Sequence, residues 1–141
     1  MTGKSSYELI DHTADFGMQV YASSVKDLFQ HAALALMDQL LEAAKPCEQQ
    51  TQQLSVAGSD WPDLMVNWLR EILFLWDGNE RLVRSVQIEN IVHNKLDAQV
   101  QTEAFSPQHH VIKTEIKAVT YHQIQVVDRG HQWEAKIIFD I

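Results

Sequence analysis

From Val83 onward the chain alternates apolar and polar side chains in one segment after another, and the gaps between segments are short. The segments are Val83–Val92, Leu96–Gln101, Ile112–Tyr121, Gln123–Val127 and Gln132–Asp140, and this period of two is the mark of half-buried strands. Parallel neighbours need a crossover of about a dozen residues or more, usually a helix. The gaps here hold turn-forming residues instead: His93-Asn94-Lys95, Ser106-Pro107-Gln108 and Asp128-Arg129-Gly130. The second half of the chain is therefore expected to form largely antiparallel sheet.

The first half has a different rhythm. Val25, Leu28, Phe29, Ala32, Ala33, Leu36, Met37, Leu40 and Leu41 recur every three or four positions and predict an amphipathic helix, with Ser24 as its cap and Pro46 beyond its end. A second stripe runs through Leu64, Met65, Trp68, Leu69, Ile72, Leu73 and Trp76. Ser59 or Asp60 begins it, Pro62 fits its first turn, and Asp77-Gly78-Asn79 is expected to end it, with Gly78 in a left-handed cap. Phe16–Ala22 and Gln52–Ala57 read as further strands. Two helices among six to eight strands define an α+β fold with largely antiparallel sheets, and 141 residues without an internal linker or repeat make one domain over residues 1–141.

Charge narrows the function. Of the formal net charge of −8, residues 1–80 carry the whole excess, with 12 acidic and 4 basic side chains, while residues 81–141 carry seven of each. Such a field repels a phosphate backbone and suits a cation or a basic protein. The five glycines are isolated, which excludes a phosphate-cradling loop, so no nucleotide is expected to bind this chain alone. Cys47, the only cysteine, leaves no intramolecular disulfide and excludes a Cys-based zinc site. It reads as inert, and His109-His110 reads as an exposed loop pair. No apolar run resembles a signal peptide or a membrane span, which makes the cytoplasm the expected location.

Three segments can carry chemistry. Asp11-His12-Thr13-Ala14-Asp15 sets polar residues between apolar runs, and reads either as a hydrogen-bonded turn or as a site. Lys117, within Ile116–His122, is either a solvent-facing strand residue or the counter-charge of a carboxylate cluster. At the C-terminus, Ile137-Ile138-Phe139-Asp140-Ile141 suggests a strand buried to its end, bringing the Asp140 side chain close to the Ile141 α-carboxylate. Those anions repel unless bridged, and hard oxygen donors suit calcium, magnesium or manganese. The alternative is an acidic tail in water.

DHTADFG at 11–17, DLMVNWLREILFLWD at 63–77, IKAVTYH at 116–122 and the IIFDI ending resemble, in order and spacing, the archease family. The resemblance spans essentially the whole chain, with Phe16 in place of a small aliphatic residue and Thr102 in place of the Gly that tends to precede Glu103. It implies a co-activator and not an enzyme: an accessory protein that promotes guanylylation and turnover of an RtcB-type, GTP-dependent RNA ligase in tRNA splicing or RNA repair. It implies a divalent-cation site, for calcium or manganese, at Asp15, Asp140 and the terminal carboxylate of Ile141. His12, Lys117 and Glu103 would have supporting or partner-activating roles, and RNA would be met only through the ligase. The rival readings are a small metal-dependent hydrolase and a chaperone for RNA-modifying enzymes.

Overall fold

A computed structural model describes residues 6–11, 15–42 and 44–141. In chain order the elements are β1 (Tyr7–Asp11), β2 (Asp15–Ala22), α1 (Val25–Leu40), β3 (Gln50–Ala57) and α2 (Trp61–Asn79). They are followed by β4 (Arg81–Val92), β5 (Lys95–Ala104), β6 (Ala118–Val119), β7 (Gln125–Asp128) and β8 (Trp133–Asp140). One sheet has the order β1-β2-β8-β6, with β7 also on β8, and the other has the order β3-β5-β4. Every strand pairing among the described residues is antiparallel, as the short connections require.

The helices lie between the sheets. α1 packs on β2 and β8 of one sheet and on β4 of the other, and α2 touches β3, β4, β6 and β7. Burial therefore extends beyond a single stripe, to Ala35 on α1 and to Val66 and Leu75 on α2. The buried Trp68 indole N–H donates to the Phe29 carbonyl at 2.9 Å, which satisfies its polar atom and ties one helix to the other.

Local chemistry sets the helix starts. The Asp27 N–H donates to Ser24 Oγ at 3.1 Å, and the Asp63 N–H to Asp60 Oδ1 at 2.9 Å. Pro62 occupies the first turn of α2. The end of α2 departs from expectation. The helix runs through Gly78 to Asn79, and the left-handed residue is Glu80 (φ 52°), whose N–H returns to Leu75 and Trp76. Gly78 sits inside the helix, and a Cβ there would meet only the ring of the exposed Phe74, a side chain free to shift.

A second departure lies at residues 105–117. The expected strand Ile112–Tyr121 shrinks to Ala118–Val119, and the residues before it cross to α1, where Ile112 bridges Leu41 and the Lys113 N–H donates to Leu40 O. β6 and β7 line the same edge of β8, interrupted where Gln123 turns left-handed (φ 53°).

Candidate metal centre

Four strand ends meet at one corner of the larger sheet. Asp15, the first residue of β2, is the register partner of Asp140, the last residue of β8. On the other side of β8, Ala118 of β6 is also paired with Asp140, and the Lys117 N–H donates to the Asp140 carbonyl at 2.8 Å. β1 ends at Asp11, opposite Phe16. Asp11 and Asp15, Lys117 and Ala118, and Asp140, distant in sequence, thus converge. His12 lies outside the described residues.

Strand periodicity divides the faces here. Phe16, Met18, Val20 and Ala22 pair with Phe139, Ile137, Ala135 and Trp133 on the core side, with the Phe16 and Phe139 rings stacked at 5.2 Å. Asp15 and Asp140 therefore share the opposite face, directly across from each other. Asp15 is half-buried, Asp140 and Lys117 are exposed, and Ile141 follows Asp140 beside a cleft lined by Leu9, Ile10, Phe16, Gln39 and Thr114. Gly17 keeps the sheet tight next to the acidic pair, since a Cβ would come within 2.7 Å of the Ile138 side chain. Like charges directly opposite in an antiparallel pair destabilise a sheet. A divalent ion removes that repulsion, and the all-oxygen donor set fits a hard cation.

Glu103 does not join this corner. It is the penultimate residue of β5 in the other sheet, completely buried, in a cluster with Arg84, His110 and Cys47. The expectation of an exposed His109-His110 pair fails for His110, which is 3% exposed and hydrogen-bonded to Glu103. The reason is tertiary. Residues 105–117 leave the sheet, and the turn at 106–110 lays His110 on Glu103, on a face that alternation alone would give to solvent. A buried position for Glu103 was therefore invisible to sequence periodicity.

Two antiparallel sheets enclosing a helix pair, with an acidic corner made by strand ends, define an α+β protein whose candidate site is a carboxylate pair at a sheet corner. Residues 7–141 match the Archease protein family (MTH1598/TM1083), and the chain belongs to that family. It is 30% identical to the protein archease of Methanosarcina acetivorans over 139 residues, covering 96% of this chain and 95% of that one. To the protein archease of Pyrococcus abyssi it is 32% identical over 139 residues, covering 96% and 98%. The solution structure of Methanobacterium thermoautotrophicum protein 1598 aligns with a TM-score of 0.74 at 25% identity, covering 98% of this chain and all of that one. The Thermotoga maritima crystal structure, described as an archease and possible chaperone, shares the fold, with a TM-score of 0.61 at 20% identity and 94% coverage of both chains. Among the described residues, no helix is long and apolar enough to cross a membrane.

Proposed function

We propose that this protein is a non-enzymatic activator of an RtcB-type RNA ligase, promoting its guanylylation and turnover in tRNA splicing or RNA repair. It presents a divalent cation, calcium or manganese, at the corner formed by Asp15, Asp140 and the Ile141 carboxylate. The observation that carries this reading is the Asp15–Asp140 register pair, two carboxylates fixed on one face by backbone hydrogen bonding. When bound, the ion supplies concentrated positive charge on a protein that is otherwise acidic. The chain's own residues hold it and orient it at the sheet edge, with Lys117, joined to Asp140 through its backbone N–H, in a supporting role toward the partner.

The test is formation of the ligase–GMP intermediate with and without this protein. Wild type should stimulate it, and Asp140→Ala, folded, should not. A tag added after Ile141 turns its carboxylate into a neutral peptide carbonyl and should abolish stimulation, whereas an N-terminal tag should leave it intact. Equal stimulation by all four proteins would reject the site. Phosphoester turnover by the purified protein without ligase would favour a hydrolase instead.

A further inference from the structure

The Glu103 cluster has a composition quite unlike the acidic corner. Ligand atoms of Cys47, Glu103, His109 and His110 all lie within 4.8 Å of one another. Three connected pieces of chain bring them together: the segment after α1, the end of β5, and the turn at 106–110. A bulge in β4 contributes as well. Val83 pairs with Thr102 and Ser85 with Gln101, leaving Arg84 as the extra residue, and bulges commonly re-aim a side chain. Arg84 Nη2 donates to Ala44 O at 2.7 Å, while Nη1 lies 3.6 Å from Glu103. That Nη1 is buried and has no hydrogen-bond partner among the described residues.

Hydrogen bonding assigns the imidazole tautomers. The Ser106 N–H donates to His110 Nδ1 at 2.9 Å, so His110 carries its proton on Nε2 and donates it to Glu103. His110 thus orients the carboxylate. His109 Nε2 lies 2.7 Å from the Lys45 carbonyl and must donate to it, which leaves the lone pair of the neutral ring on Nδ1. The other Glu103 oxygen accepts the Cys47 N–H at 3.1 Å. A carboxylate oxygen, an imidazole nitrogen and a thiol therefore lie close together, with a histidine bracing the carboxylate.

We propose that Cys47, His109 and Glu103 form a second cation site, for a borderline ion such as zinc, with His110 as the residue that positions Glu103. Three protein ligands of mixed sulfur, nitrogen and oxygen type suit zinc and leave a position for water. Binding replaces the S–H proton, which goes to solvent, by an S–metal bond. Tetrahedral bonds of about 2.0–2.3 Å need ligand atoms roughly 3.5 Å apart, so the ligands must draw in by about 1 Å. Cys47 and His109 sit in connectors, where such movement costs little. A lone cysteine cannot build a cysteine-rich site, and the mixed site relies on donors from other parts of the chain, Glu103 from 56 residues away.

Cobalt(II) titration followed by absorption tests this, because a thiolate–cobalt charge-transfer band requires Cys47, the only thiol. Wild type should develop the band to saturation at one equivalent, and Cys47→Ser should lose it. His109→Ala should weaken binding at least tenfold, and His110→Ala about tenfold, as loss of an orienting partner does. Asp140→Ala should retain the band unchanged. Absence of the band from wild type overturns the proposal, as does unaltered affinity in the exposed-site variant His109→Ala, which is not expected to disturb folding. Loss of cobalt uptake in Asp140→Ala with retention in Cys47→Ser would assign the ion to the acidic corner alone and also overturn it.

Discussion

At the scale of residues, two acidic side chains have opposite energetics. Asp140 is exposed and lies directly opposite Asp15 in the sheet, a placement in which like charges are destabilising. Asp140→Ala should melt at or above the wild-type temperature without metal, measured by differential scanning fluorimetry; a clear loss of stability would mean that the carboxylate has a structural role. Glu103 is buried and paired. Burial acts to raise its pKa, but the His110 hydrogen bond, the Cys47 N–H and the Arg84 charge together hold it below the usual carboxylate range. Its folded value is thus below its unfolded one, so its contribution to stability is complete above the unfolded pKa. That contribution is lost as pH falls through the folded value. Glu103→Gln should cost about 3 kcal/mol at neutral pH by leaving Arg84 without its anion. The gap between the two proteins should narrow in acid, and urea melts over a pH series read it directly. A gap independent of pH would mean that packing, not charge, is what Glu103 supplies.

At the scale of elements, the junction between β3 and α2 is the most tightly specified. Gly58 ends the strand run, and a Cβ there would lie 2.5 Å from Leu64 N and 2.7 Å from its Cα, both backbone atoms of α2. Backbone does not move aside as a flexible side chain does. Gly58→Ala should therefore destabilise by about 1–3 kcal/mol through overpacking, whereas Asp60→Ala, which removes the α2 cap, should cost about 1 kcal/mol. The two are neighbours acting on the same first turn of α2, so the double variant should be non-additive. Chemical denaturation of the three variants measures this, and simple additivity would argue that Gly58 acts elsewhere. The sequence narrowed the start of α2 to Ser59 or Asp60, and the structure makes Asp60 the cap, while the Gly58 contact depends on how close the helix comes to the strand.

For the whole molecule, the two proposed sites predict separable cation responses. Calcium and manganese should raise the melting temperature through the acidic corner, since a ligand binding only the native state stabilises it. Asp15→Ala and Asp140→Ala should lose that response but keep the response to zinc, and Cys47→Ser should show the reverse. Acidification should diminish both responses as protons compete for the ligand atoms. If wild type and Asp15→Ala respond alike to every cation, Asp15 is not a ligand. The net charge of −8 adds an expectation about association. Docking on a basic surface should slow as salt is raised, because screening shortens the range of the field, and stopped-flow association at several ionic strengths would show it.

The sequence by itself determined whatever local periodicity and capping can encode. That covers both helices and their starts, the antiparallel second half, and the α+β class. It also includes the three acidic and basic segments, Asp11–Asp15, Lys117 and Asp140–Ile141, as places where chemistry could sit. Tertiary structure decided which of these meet. The Asp15–Asp140 pairing depends on β2 lying beside β8, a register between residues 125 positions apart that no local pattern carries. It also decided that the turn at 106–110 meets the end of β5, so that Glu103 and His110 are buried together beside Cys47. Alternation specifies two faces of a strand, but which of them meets water depends on what else the chain lays over it.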